Sequence, residues 1–362
     1  MVACVESGEG LDFKEFLEVP KSSGSRGEER QVRASIATDV SVALCTYKGE
    51  VYLAAQLDSI LAQTLRPQEV VVFDDVSPDG TWVLLEQHAP RFHDAGINFV
   101  LNRNAVNLGY VANFEQALKA TTRAIVFLCD QDDAWHPTKI ERFLAEFERR
   151  PDLVALHSNA RLVNSNGDDL DHSLFQALEV TRAELDAIHS GRAFEVLVRR
   201  NIVTGATLAV RRKVFENAVP APAGWIHDEW LGMVATFVGT IDCIEEPTID
   251  YRQHDSNQVG ARRRGFVERV TGGDISRLEF MTRTLLRMQS LLEVAEAGPL
   301  RPAEPCLRLL RDRLIHARFR AAPPEHWPAR LAAVLNEYAT GRYSRFSNGP
   351  RSALSDLLLM RK

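Results

Sequence analysis

The run "IVFLCDQDDAWHPTKI", residues 125 to 140, takes five apolar residues straight into Asp130, Asp132 and Asp133. Carboxylates this close raise one another's pKa unless something positive neutralises them, and a hard divalent cation with oxygen ligands does so directly. The plainer alternative is that Asp133 caps the helix that follows and its neighbours are solvated. A second acidic pair, Asp74 and Asp75, closes "EVVVFDD" and enters "SPDGT", a turn sequence. Alone, that pair can be read as a cap for a helix starting near Thr81. Taken together, acidic ends of two strands in one parallel sheet converge on one crevice. Such a crevice can hold a diphosphate through a metal on the aspartates.

The elements that must present these residues alternate along the chain. "VSVALCT" is a buried strand; "EVYLAAQLDSILAQT" places Leu53, Leu57, Ile60 and Leu61 at helical spacing; "EVVVFDD" is again a strand. "TWVLLEQHA", "YVANFEQALKA" and "PTKIERFLAEFERR" read as helices, the last opening at Pro137, while "INFVL", "AIVFLC" and "LVALHS" read as strands. The fold class is therefore α/β, a mostly parallel sheet sandwiched by helices, with ligands at the carboxyl ends of the strands. Those ends carry "CTYKGE", "FDDVSPDGT" and "CDQDD". Beyond residue 160 the pattern is mixed, with short strands at "ATLAV" and "TIDYRQH" and a helix from about residue 228. After about residue 270 only helices are expected, and residues 1 to 38 read as a poorly ordered leader.

The 362 residues are 45% hydrophobic and 25% charged with a net charge of −6, a globular balance without the cation excess that nucleic acid demands. The 5 cysteines are far apart and form no CxxC pair, so reduced thiols are expected, with neither a disulfide framework nor a zinc site. The chain opens on acidic residues where a signal peptide is basic, and "WLGMVATFVGTIDCI" is broken by Asp242 and short of a bilayer span. A cytoplasmic protein, at most peripheral to a membrane, is expected. Neither GxGxxG nor GxxxxGK[ST] follows the first strand, which argues against a dinucleotide oxidoreductase and a P-loop enzyme.

In this order, "VSVALCTYKGEVYLAAQLDSILAQTLRPQEVVVFDDVSPDGT", "NAVNLGYVANFEQAL" and "FLCDQDDAWHPTKI" resemble the nucleotide-sugar-binding half of glycosyltransferase family 2, with the GT-A fold. "NIVTGATLAV", "HDEWLGMVA" and "TIDYRQHDSNQVG" resemble the acceptor half of its rhamnosyltransferase-like branch. The likeness spans about residues 40 to 262 and implies a GT-A domain at 39–265, with donor half 39–158 and acceptor half 159–265, followed by a helical region at 266–362. It implies that Thr46, Tyr47, Asp74 and Asp75 hold the nucleoside, as a carboxylate can accept a pyrimidine imide N–H and a tyrosine ring can stack on a base. It implies further that the DxD-type motif, Asp130, Asp132 and Asp133, carries Mn2+ or Mg2+ on the donor diphosphate.

Further expectations follow from that resemblance. His254 is a further metal ligand or a hydrogen-bonded surface His, and Arg252 a phosphate clamp or a solvated strand residue. For Arg262 to Arg264 a solvated face is favoured over a lid. Asn107, Gly109 and Asn113 shape the wall beside the donor, although a loop-to-helix junction explains them equally. Trp225 and Trp230 stack on a sugar face, unless either packs in the core. In the motif H-D-x-W the catalytic base is Asp228, with Glu229 in the variable position; the alternative is that Asp228 only caps its helix.

The expected activity is a metal-dependent inverting transfer of a sugar, rhamnose from dTDP-rhamnose or a sugar from a UDP-sugar, to a saccharide or lipid-linked acceptor in surface-glycan synthesis. No QxxRW signature is present, which argues against polymer synthesis. One rival is a sugar nucleotidyltransferase, against which the missing Gly-rich triphosphate loop counts. The other is a catalytically silent nucleotide-sugar-binding protein, against which Asp132 and Asp228 count. The C-terminal "RYSRFSNGPRSALSDLLLMRK" is read either as a contact to an anionic membrane surface or as a helix packed on the domain.

Overall fold

The computed structural model describes residues 39–254, 277–298, 300 and 302–358; the leader and Arg262 to Arg264 lie outside the described residues. Strand β1 (Val40–Thr46), buried along its whole length, pairs in parallel with β2 (Glu69–Asp74) and β4 (Ile125–Cys129), and β3 (Asn98–Arg103) extends the sheet beside β2. The crossovers are α1 (Leu53–Leu61), α2 (Thr81–Asp94) and α3 (Tyr110–Ala120). Their apolar faces, including Leu57, Leu85, Phe92 and Phe114, are buried against the strands. Strands this apolar on both faces need that cover, and the helices supply it. In register, Thr46 lies opposite Asp74 and Leu44 opposite Cys129, so the polar ends of three strands sit side by side.

Past β4 the sheet becomes mixed. It takes in β5 (Ala134–Trp135), β6 (Leu153–Val163), β7 (Asp169–Ser173), β8 (Ala209–Arg211) and β9 (Thr240–Arg252), in the order β3-β2-β1-β4-β8-β6-β9-β5 with β7 on β6. Strand β8 runs antiparallel to β4 and β6, and β5 antiparallel to β9, while β6 and β9 are parallel. The expected parallel sheet is thus its first half. A strand of three residues such as β8 carries too little periodicity to announce its direction. Helix α4 (Lys139–Arg149) starts two residues after Pro137, whose carbonyl accepts the Thr64 N–H instead of opening the helix.

The remaining helices are α5 (Leu174–Ala177), α6 (Arg182–His189), α7 (Ala193–Leu197), α8 (Arg212–Ala218), α9 (His227–Val238), α10 (Arg277–Ala297), α11 (Glu304–Ala321), α12 (Trp327–Ala339), α13 (Arg342–Phe346) and α14 (Pro350–Leu357). Met288, Leu291, Leu310 and Leu314 of α10 and α11 share one core with Val203, Trp225 and Trp230, so the helical extension is continuous with the sheet domain. In the C-terminal segment Tyr343 and Phe346 are buried, and the Tyr343 hydroxyl donates to buried Asp356 at 2.7 Å. Those rings pack on the protein and are not offered to a membrane, which corrects the membrane-contact reading for them. No helix among the described residues is long and apolar enough to cross a membrane.

His157 of β6 is buried with neither ring nitrogen hydrogen-bonded among the described residues. Burial, opposed by the nearby Asp242 carboxylate and reinforced by His189, holds its pKa down from 6.5 to about 4. The unfolded chain therefore binds the extra proton in that window. Stability is whole above the ordinary value and declines as pH falls toward the folded one, by about 3 kcal/mol. His157→Leu is expected to flatten the pH dependence of the urea midpoint across this window; an unchanged slope would assign the proton uptake to other groups.

Candidate active site

At the carboxyl ends of β1, β2 and β4 opens a cleft of about 2800 Å³, walled among others by Thr46, Tyr47, Asp75, Asp130, Asp132, Asp228 and His254. Its first corner is built on adjacent aspartates with opposite fates. Asp74 is fully buried behind the wall: it accepts from Thr46 Oγ1 and Ser77 N, each at 3.0 Å, and pairs with Arg103 Nε at 3.2 Å. It braces the turn and does not line the cleft, which corrects its expected contact with a nucleoside. Asp75 is on the wall. Its Oδ1 accepts from Asn104 Nδ2 and Leu108 N and its Oδ2 from Gly109 N, all at 2.8 Å.

Gly109 has φ +80°, a region that strains any side chain, so only glycine lets the chain turn back onto Asp75 before α3 begins. Asn107 Nδ2 donates to the Asp75 carbonyl at 3.0 Å and Asn113 Nδ2 to the Phe73 carbonyl at 2.9 Å. The three wall residues singled out in the sequence are thereby brought to the cleft around Asp75.

Tyr47 stands exposed at the mouth, and its backbone N–H and C=O are both bonded to the Gln131 amide, at 2.8 and 2.9 Å. This approach needs Gly49, where a Cβ would sit 2.3 Å from Gln131 Oε1. Gln131 lies inside "DQDD", but nothing in its type announces an amide clamping a residue 84 positions away. Gln131→Ala removes two hydrogen bonds and is expected to weaken nucleotide binding about 5-fold in calorimetry. Unchanged affinity would show that this clamp does not position Tyr47.

In the acidic corner Asp132 Oδ2 lies 2.8 Å from His254 Nε2, and both face the cleft with Asp130. Asp133 is buried behind them; its Oδ1 accepts the Arg252 backbone N–H at 2.9 Å and its Oδ2 has no partner among the described residues. The Arg252 guanidinium is directed to main-chain carbonyls, Asp132 at 2.9 Å, Asn164 at 3.3 Å and Ser165 at 3.2 Å. It braces the loop behind the wall, a correction to the expected phosphate clamp.

Burial, then the Asp132 and Asp228 charges, pushes Asp130 up to about 8, and burial likewise raises Asp133. Beneath them the fully buried Lys139 donates to the Ala206 carbonyl at 2.8 Å and sits over the Trp135 ring; burial holds it down to about 7 although Cys129, Asp133 and Asp130 pull it up. An orphaned buried carboxylate oxygen beside a carboxylate–imidazole pair fits a hard divalent cation. Of the residues expected at the metal, Asp130, Asp132 and His254 face the cleft and Asp133 lies behind them.

The third corner is the first turn of α9. Its N-cap is Ile226, so Asp228 is not the cap that the alternative reading required. Asp228 Oδ2 accepts from Gly205 N at 2.8 Å and Oδ1 from Glu229 N at 2.7 Å. Burial raises its pKa above the usual carboxylate range. Because its charge also acts on Asp130, the two carboxylates share the cleft. Glu229 is ion-paired with Arg287.

Trp230 is buried in the core with its indole N–H on the Ala218 carbonyl and does not line the cleft, which corrects the sugar-stacking expectation for it. Trp225 does line the cleft, tied to Ser290 Oγ at 2.9 Å under the Arg287 guanidinium. His227, stacked on Phe114 at 4.1 Å, reaches the wall with neither ring nitrogen bonded among the described residues.

Residues 41–218 match the family model described as Glycosyl transferase family 2. An uncharacterized glycosyltransferase of Nostoc sp. is 27% identical over 222 residues, 60% of this chain and 66% of its own length. The uncharacterized glycosyltransferase YwdF of Bacillus subtilis is 32% identical over 125 residues, 34% of this chain and 43% of its own. The chain thus spans less than two thirds of the length of these curated relatives. The crystal structure of S. aureus TarS 1-349 in complex with UDP-GlcNAc superimposes with a TM-score of 0.54 at 17% identity, covering 88% of this chain and 84% of that one. The parallel half, the mixed half and the helices around them are the GT-A fold, and residues 41–218 within it are similar to the glycosyltransferase family 2 domain.

Proposed function

We propose that this protein is a cytoplasmic, metal-dependent inverting glycosyltransferase, with a donor half at 39–158, an acceptor half at 159–265 and a helical region at 266–362. It moves one sugar, or a few, from a pyrimidine nucleotide-sugar to a saccharide or lipid-linked acceptor in surface-glycan synthesis. The rhamnosyltransferase-like motifs make dTDP-rhamnose the first donor to test, with UDP-sugars next. The observation that carries the reading is one cleft holding Asp228 together with Asp130, Asp132 and His254.

In this account the Tyr47 ring stacks on the base and Asp75 accepts its imide N–H. Asp132 and His254 would hold the divalent ion, Mn2+ or Mg2+, which when bound would supply positive charge to offset that of the diphosphate. Asp228 accepts the proton of the acceptor hydroxyl. The hydroxyl oxygen bonds to the anomeric carbon from the side opposite the diphosphate, and the bond from that carbon to the diphosphate oxygen breaks. The anomeric configuration inverts.

Base preference follows from Asp75. With Oδ1 accepting two bonds and Oδ2 one, a single acceptor position is left, which suits one imide N–H and not the paired N–H groups of guanine. UDP or dTDP is expected to bind about 10-fold more tightly than GDP, the scale of a buried group left unpaired. Thermal stabilisation by the three nucleotides with Mn2+ measures this. Equal stabilisation would remove base recognition from Asp75.

A further inference from the structure

The cleft continues past Asp228 to a far wall built by the chain after α7, by α11 and by the start of α14. This end is basic where the other is acidic. Arg313 of α11 is only 8% exposed, yet among the described residues it meets no carboxylate: its Nε donates to the Val198 carbonyl at 3.2 Å and its guanidinium lies 5.7 Å from the Phe346 ring. Burial and the neighbouring Arg320 hold its pKa down to about 10, with no acidic neighbour to offset them. Among the described residues Arg351, on the same wall, makes no hydrogen bond or ion pair, and Arg199 makes only a long 3.5 Å contact with the Ser347 carbonyl. The acids close by are spent: Asp356 takes Arg320 and the Tyr343 hydroxyl, and Glu229 takes Arg287.

A buried guanidinium without a counter-charge is costly, and an anion in the cleft would offset that cost. Pro350 to Ser352, the first turn of α14, face the same space and add the positive end of a helix dipole. Three guanidinium groups and a helix start suit the several oxygens of a phosphate better than a single carboxylate. The donor diphosphate is provided for at the acidic corner, through a cation. We propose that Arg199, Arg313 and Arg351 form a metal-independent subsite for a phosphate or diphosphate group carried by the acceptor. This rests on the glycosyl-transfer reading only for the word acceptor; the anion site stands on its own geometry.

The test uses the full chain and inorganic pyrophosphate in EDTA, so that the acidic corner has no cation through which to bind it. Calorimetry is expected to show saturable binding, weakened about 10-fold or more in Arg199→Gln/Arg351→Gln, whose exposed positions leave folding untouched, and unchanged in Asp132→Asn. Arg313→Gln is the stronger probe and is compared after its fold is checked by circular dichroism. Absence of saturable binding, or equal binding by parent and double variant, overturns the proposal. Two further arms separate the sources: a soluble sugar 1-phosphate, and phosphatidylcholine vesicles with and without a polyprenyl diphosphate. Arg-dependent binding in either arm supports the subsite and names its ligand; Arg-independent binding in both counts against it. If pyrophosphate binds here while no nucleotide-sugar is turned over, the transfer reading fails alone. If nucleotide and Mn2+ bind but pyrophosphate in EDTA does not, this inference fails alone.

Discussion

Asp228→Asn is expected to lower sugar transfer by roughly 10²-fold or more while leaving fold and donor affinity in place, the usual scale for losing a positioned base. The substitution separates geometry from basicity. Asn keeps an oxygen for the Gly205 N–H and gives up only the acceptor for the adjacent Glu229 N–H, and Asp228 is not the N-cap of α9, so the turn is expected to hold. What disappears is the capacity to take a proton. Burial raises the Asp228 pKa, and a base is active only when ionised, so transfer by the parent should decline as pH falls through that raised value. Glu229→Gln should do much less, because Glu229 is occupied by Arg287. Transfer by Asp228→Asn at near the parent rate would remove Asp228 from the chemistry and make Glu229 the next residue to change.

The second large effect is expected at Asp132. Its Oδ2 and His254 Nε2 are the carboxylate and imidazole that face the cleft, with Asp130 beside them and Asp133 behind. Asp132→Asn removes one full negative charge from that set with almost no change in shape. Turnover should fall below detection, and the extra thermal stabilisation that Mn2+ adds to nucleotide binding should vanish. The apo fold should be unaffected or slightly more stable, since Asp132 is among the charges that raise Asp130 and Asp133. Full activity in excess EDTA would sink the metal assignment outright.

The residues brought together were legible in the sequence where strand ends carry unusual charge. Helix α3 is found at the predicted Tyr110–Ala120, and the acidic ends of β2 and β4 face one cleft as alternation of strands and helices requires. Neighbouring residues of extended chain point to opposite sides, and that is why Asp74 and Asp75 part company: composition cannot say which of the two looks into the crevice. Trp225 and Trp230 are five positions apart on either side of a helix start, and only packing decides that the first reaches the cleft while the second is buried on Ala218. Arg252 reads as a clamp until its guanidinium is seen to meet three main-chain carbonyls, contacts that no side-chain pattern encodes. The same holds for Gly205, which positions Asp228 with a backbone N–H. Arg313 was hidden in an amphipathic helix, where an arginine is read as solvated unless the fold buries it.

The central claim is that one cleft binds a pyrimidine nucleotide-sugar through a divalent ion and releases the nucleotide in the transfer. The most direct measurement is nucleotide release from a panel of dTDP-, UDP- and GDP-sugars with Mn2+, run side by side on the parent, Asp132→Asn and Asp228→Asn proteins. The account predicts release from at least one dTDP- or UDP-sugar by the parent, none by Asp132→Asn, and a rate reduced roughly 10²-fold by Asp228→Asn with donor binding retained. Release that is insensitive to both substitutions, or metal-dependent stabilisation by none of these donors, would contradict it.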